Sequence, residues 1–220
     1  TARIDRTAPG APSVTGGSSS WQAAASLDIT ASGSDPLSGI LRYESQTSTN
    51  GGSTWSATTT GATAAVSAQG TTIVRFRAGD NAGNTSVWSV PGAGATAKLD
   101  RTAPTVSMSG GSWSWWQAPH SLTVTATGSD AHSGSASLEY RTSTDNGATW
   151  TAATSGASVT IGDLGDTYVQ FRATDAVGNV GTWSSTYTQD RVRVTTQPGV
   201  DIATANVRLT VQGRDEGAYL

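Results

Sequence analysis

Apolar and polar residues alternate along this chain in short runs. In Leu27-Asp28-Ile29-Thr30 the side chains of Leu27 and Ile29 share a face, and Leu122 and Val124 repeat the pattern later. A period of two predicts half-buried strands. Leu41 and Tyr43 mark the next strand, as do Leu138 and Tyr140 in the second half; Val66 and Ile161 mark another. The longest alternation is Thr72-Ile73-Val74-Arg75-Phe76-Arg77, with Thr167-Tyr168-Val169-Gln170-Phe171-Arg172 as its counterpart. Val74 and Phe76 take one face there, and Arg75 and Arg77 the other. Turn-forming clusters separate the runs: Gly33 to Gly39, Asn50-Gly51-Gly52, and Asp80-Asn81-Ala82-Gly83-Asn84. No stretch carries a helical period. About seven short strands per ~90 residues, with turns at regular spacing, predict an all-β antiparallel sandwich.

The pattern occurs twice. Asp5-Arg6-Thr7-Ala8-Pro9 returns at an offset of 95 (from 5 to 100) as Asp100-Arg101-Thr102-Ala103-Pro104. The same offset links Trp21-Gln22 to Trp116-Gln117, Thr54-Trp55 to Thr149-Trp150, Phe76-Arg77-Ala78 to Phe171-Arg172-Ala173, and Trp88-Ser89 to Trp183-Ser184. That period is too long for a solenoid unit and fits a whole small domain used in tandem. The expected boundaries are residues 1–98 and 99–190. Residues 191–220 break the repeat and read as an extra β hairpin or the start of a truncated third module. The short Pro-containing joint predicts a stiff connection.

Each repeat has three paired tryptophans: Trp21 and Trp116, Trp55 and Trp150, Trp88 and Trp183. With only two Phe in the chain, these rings are expected to supply much of each core. Asn50 and Asp145 stand at hairpin tips, where their side chains are expected to cap backbone amides while glycine supplies a positive φ.

The ordered set of Asp-Arg-Thr-Ala-Pro, Trp-Gln, Gly-Ser-Asp, the Thr-Trp hairpin and Phe-Arg-Ala with Gly-Asn resembles the bacterial Ig-like repeats of large secreted and surface proteins, over about residues 3–190. The resemblance implies two tandem immunoglobulin- or fibronectin-III-like sandwiches at an extracellular or cell-surface location. It implies a spacer, stalk or adhesion role, with the neighbouring domains of a parent protein as partners. Ser143-Thr144-Asp145-Asn146-Gly147-Ala148-Thr149-Trp150 also resembles the Asp-box of sialidase-like propellers, and Ser48 to Trp55 matches except at Asn50. Propeller blades recur about every ~45 residues. The repeat here is twice that, so a fragment of a sialidase-like glycoside hydrolase ranks last.

Composition narrows the function. A net charge of −3 provides no basic field for nucleic acid. No apolar run suits membrane insertion or a signal peptide. The chain opens at Thr1 inside an apparent linker, so it reads as a fragment. With no cysteine, disulfides and thiolate chemistry are excluded. The two histidines, His120 and His132, match Ala25 and Leu37 of the first repeat and read as surface loop residues. No nucleophile, zinc or phosphate-loop motif occurs, so no catalytic residue and no cofactor are expected. Asp35 and Asp130, with Asp80 and Asp175, raise the question of Ca²⁺. Without a dense run of alternating aspartates they read as turn caps, and no residue is assigned to metal. Trp113 and Trp115 have no tryptophan counterparts, since Ser18 and Ser20 occupy those places. Alternation puts both on the face opposite Trp116. They read as packing against a neighbouring domain or the first strand, with a platform for a glycan or partner surface as the alternative. The expectation is therefore a non-catalytic extracellular spacer, with a carbohydrate-binding or adhesion module as runner-up.

Overall fold

The computed structural model describes residues 2–111, 121–163 and 165–184, together with the backbone of Trp115–Gln117 and Arg191–Thr195. The chain divides into two compact units, Thr1–Thr102 and Ala103–Leu220.

The first unit contains seven strands: β1 (Ser13–Thr15), β2 (Leu27–Ser32), β3 (Ile40–Ser48), β4 (Thr59–Thr60), β5 (Thr63–Val66), β6 (Gly70–Asp80) and β7 (Thr96–Leu99). They form two antiparallel sheets, in the orders β1-β2-β5 and β4-β3-β6-β7. Alternation decides what lies between the sheets. In β6, Thr72, Val74, Phe76 and Ala78 are buried, while Ile73, Arg75 and Arg77 are only partly so. Phe76 and Val74 meet Ile29, Ala31, Val66 and Ala97 in one cluster, with Val14, Leu27 and Tyr43 at its edge. Burying a residue such as Phe76 or Ile29 stabilises the fold by about 1.5–3 kcal/mol each.

Leu41 departs from the expected pattern. The pairing of β3 with β6 slips between Ile40 and Arg42, so Leu41 is an extra residue in the ladder. A bulge reverses the alternation, and Leu41 is 59% exposed while Tyr43 reaches the core.

The second unit repeats the plan with β8 (Thr105–Ser109), β9 (Trp115–Gln117), β10 (Leu122–Ser129), β11 (Ser135–Ser143), β12 (Thr154–Ser155), β13 (Ser158–Ile161), β14 (Gly165–Asp175) and β15 (Arg191–Thr195). Its sheets run β13-β10-β8 and β12-β11-β14-β15-β9. Val124, Ala126, Ile161, Val169 and Phe171 form the core, and Tyr140 packs its ring 5.8 Å from that of Phe171. A bulge recurs between Ser135 and Ser137.

Arg191–Thr195, read from the sequence as part of an extra β segment or of a truncated third module, pairs antiparallel with β14 of the second unit, taking the place β7 holds beside β6. Residues 196–220 lie outside the described residues. The first unit extends past residue 98 to Thr102 because the joint is fastened to it: the Asp100 amide donates to the Gln22 carbonyl at 2.9 Å, and the Arg101 guanidinium donates to the carbonyls of Ala24 and Ser67 at 3.0 and 2.9 Å.

Candidate functional site

Among the described residues, the tryptophans are not in the cores. Trp55, Trp88, Trp150, Trp183 and Trp21 are each only half-buried, and none belongs to the buried clusters around Phe76 and Phe171. The reason is geometric. Val74 and Phe76 already fill the inward face of β6, and Arg75 and Arg77 project from the other face. Trp55 and Trp88 lie against those arginines. The Arg75 guanidinium carbon sits 4.0 Å from the Trp55 ring centroid and 4.7 Å from that of Trp88, and Arg77 lies 4.7 Å from Trp88. Each such contact contributes about 0.5–1 kcal/mol at an exposed site. Glu44 continues the row, accepting from the Nε atoms of Arg42 and Arg77 at 2.8 Å each. The Arg42 hydrogen bond and then the Arg77 bond hold its carboxyl below the ordinary glutamate value. Trp21 lies apart, with Lys98 Nζ 5.7 Å from its ring.

The second unit builds the same stack by another route. The guanidinium between the indoles comes from Arg141 on β11, 4.7 Å from Trp150 and 4.4 Å from Trp183. Arg172 lies 4.5 Å from Trp183 and donates to Glu139 at 3.0 Å. In the first unit Arg75 is paired across the ladder with Gln46, to whose Oε1 it donates; in the second Arg141 is paired with Gln170 and donates to it. Arginine and glutamine have exchanged strands.

Both hairpin tips behave as caps. Gly51 and Gly52 have φ of 70° and 90°, and Asn146 and Gly147 have 63° and 85°. Two successive positive φ values define the tight turn whose twist suits a hairpin. Asn50 Oδ1 accepts from the Thr54 amide at 3.0 Å, and Asp145 Oδ1 from the Thr149 amide at 2.9 Å. The Thr149 hydroxyl also donates to Asp145 Oδ2 at 2.5 Å. The Thr149 hydroxyl and amide, then the Ser143 hydroxyl, lower the Asp145 carboxyl to about 2. Gly52 is placed so that a Cβ would touch the Trp55 ring at 3.4 Å, so the ring closes over the turn.

A third arrangement gathers distant acids. Carboxylate oxygens of Asp5, Asp35 and Asp80 all lie within 4.8 Å of one another in the first unit. Each also caps a turn, as the sequence reading of Asp35 and Asp80 expected. Asp35 Oδ1 accepts from the amides of Leu37, Ser38 and Gly39 at 2.8–3.0 Å. Asp80 Oδ1 accepts from the amides of Ala82 and Asn84, and its Oδ2 from Asn84 Nδ2. Burial opposes ionisation of Asp80, but the Asn84 side chain and the turn amides outweigh it and hold the carboxyl below its ordinary value. Asp5 accepts from the amides of Thr7 and Ser38. Its participation is not visible from residues 35 and 80 alone. The signal that finds it is the recurrence of all three aspartates at the 95-residue offset, as Asp100, Asp130 and Asp175. In the second unit Asp130 and Asp175 cap equivalent turns, with Asp130 Oδ1 accepting from His132 and Gly134.

Trp113 and His120 lie outside the described residues, and Trp115 and Trp116 are described as backbone in β9. There they pair in parallel with Arg193 and Val194 of β15. Among the described residues no helix is long and apolar enough to cross a membrane.

No family model matches the chain, and no curated protein matches it. Among solved structures it is similar to the three N-terminal domains of the Highly Immunogenic Outer Capsid protein (Hoc) of bacteriophage RB49, with a TM-score of 0.39 and 14% identity over 84% of this chain. The chain spans 59% of that structure's length. A likeness of this degree carries no functional inference, and the assignment of tandem β-sandwiches rests on the strand pairing itself.

Proposed function

We propose that the chain is a non-catalytic extracellular spacer or presentation segment of a larger secreted or surface protein. The observation that carries this reading is what the repeated polar residues do. Ser48 and Ser143 hold the amides of Gly52 and Gly147, and Ser89 and Ser184 hold those of Phe76 and Phe171. Asp80 and Asp175 close the turns after β6 and β14. These shared serines and aspartates thus serve backbone and turn, as suits units selected for being folded. Sandwiches of high sequence separation between paired strands resist extension through their ladders, and a tandem pair sets a distance. Single-molecule stretching of the chain is expected to give two unfolding events, each releasing roughly 300 Å of contour for a repeat of this length. A single event, or specific binding on a broad glycan array that Trp113→Ala with Trp115→Ala abolishes, would replace the spacer reading with a binding one.

A further inference from the structure

The three carboxylates of the first unit leave part of their hydrogen-bonding capacity unused. Asp35 Oδ2 is sealed from solvent and has no hydrogen-bond partner, although Oδ1 of the same carboxylate is saturated by three amides. Ser38 Oγ, on the same turn, is likewise buried without a partner. Its backbone amide bridges Asp5 Oδ2 and Asp35 Oδ1, which ties the hydroxyl's residue to two of the three acids. A buried carboxylate oxygen with no donor costs free energy, and two further carboxylates within 4.8 Å add repulsion to that cost. Neither cost arises if a cation sits among them. The second unit repeats the signature at Asp130, whose Oδ2 is also buried and unpartnered.

We propose that Asp5, Asp35 and Asp80, with Ser38 Oγ, hold one hard divalent cation of the Ca²⁺ class. The donor set is all oxygen, which selects hard cations over zinc or copper. Three carboxylates and a hydroxyl fall short of the six to eight ligands that Ca²⁺ takes, and water completes the shell. A cavity of about 560 Å³, bordered by Asp5, Ser38, Asn81 and Arg3, opens at the Asp5 side of the cluster, from which water would reach the ion. The Asn81 side chain fixes the turn by donating to the carbonyls of Ser38 and Gly39, so the donors are positioned before the ion arrives.

Asp35→Asn separates this role from turn capping. Its Oδ1 still accepts the three turn amides, while an amide nitrogen replaces the unpartnered oxygen and donates toward the neighbouring carboxylates. Calorimetric titration of the chain with CaCl₂ after EDTA treatment is expected to show saturable binding with a dissociation constant of about 10⁻⁴–10⁻³ M. Asp35→Asn is expected to lower the Ca²⁺ stoichiometry by one per chain. In EDTA the same variant is expected to melt cooperatively at or above the wild-type temperature, and in CaCl₂ to show less of the wild-type rise. Ser38→Ala, which leaves all three carboxylates in place, is expected to weaken binding several-fold. Absence of saturable heat with the wild type would mean that water alone fills the site. Unchanged stoichiometry in Asp35→Asn, or an equal thermal shift from NaCl at matched ionic strength, would also overturn the proposal.

Discussion

The two units place the same cation between the same pair of indoles but take it from different strands. Arg75 on β6 fills that place in the first, with Gln46 opposite; Arg141 on β11 fills it in the second, with Gln170 opposite. Two long polar side chains paired across a ladder reach the same space from either side. The requirement is therefore for a guanidinium between the rings, whichever strand supplies it. The end of the stack differs further. Glu44 is clasped by Arg42 and Arg77, whereas Ser137 stands where a second arginine would approach Glu139.

The largest test concerns what the units share. Phe76→Ala and Phe171→Ala are each expected to cost about 3–5 kcal/mol in chemical denaturation of the unit that carries them. A large inequality between them would show that the cores are less alike than their burial suggests. Next comes the exchanged pair. Arg75→Gln is expected to cost about 1–2 kcal/mol, since it removes the cation from two ring faces. Adding Gln46→Arg is expected to recover most of that loss, giving a coupling energy in a double-mutant cycle; absence of recovery would mean that the strand of origin matters. Arg42→Ser, which makes the first unit resemble the second, is expected to cost only about 0.2–1 kcal/mol because the pair is partly exposed. Its clearer mark is a rise of the Glu44 carboxyl toward the ordinary value, read by NMR titration. Glu44 stabilises the fold above its unfolded value, about 4.3, and that contribution is lost as pH falls through the lowered folded value.

The smallest difference is at the hairpin tips. Asp145 has its carboxyl lowered to about 2 in the fold. Its contribution is complete above the unfolded value of about 3.9 and fades as pH falls toward 2. Asn50 does not titrate, so acid is expected to loosen the Trp150 hairpin before the Trp55 hairpin, as seen in indole fluorescence. Asp145→Asn is expected to abolish the difference, and Asn50→Asp to transfer it.

The strands and the two-unit plan were readable because alternation is a local property: Val74 and Phe76 inside, Arg75 and Arg77 outside. The same alternation held the clue to the tryptophans. With the inward positions of β6 already apolar, Trp55 and Trp88, standing in the segments that follow β3 and β6, were left to the arginine face. Reading them by size alone put them in the core. Leu41 was misplaced because a bulge leaves no mark in the hydrophobic pattern. The meeting of Asp5, Asp35 and Asp80 depends on the topology that returns β6 beside β3, and no local period encodes it. The strand at Arg191–Thr195 was readable from the alternation of Val192 and Val194, but its place beside β14 was not, because it lacks the sequence identity that marked the rest of the repeat.

The exchange of arginine and glutamine also bears on how two such similar neighbours avoid each other while folding. In tandem domains with about half their positions identical, a strand of one copy can enter the sheet of the other. A hybrid ladder of β11 with β6 at the native register would set Arg141 opposite Arg75, placing like charges together. The complementary hybrid of β3 with β14 would set Gln46 opposite Gln170 and leave the indoles without a cation between them. The Glu44–Arg77 and Glu139–Arg172 pairs offer no such discrimination, since either combination matches. Restoring identity in the second unit with Arg141→Gln and Gln170→Arg is expected to leave its stability nearly unchanged while raising the fraction of strand-exchanged species after refolding from denaturant. An unchanged refolding yield would remove this role from the exchange.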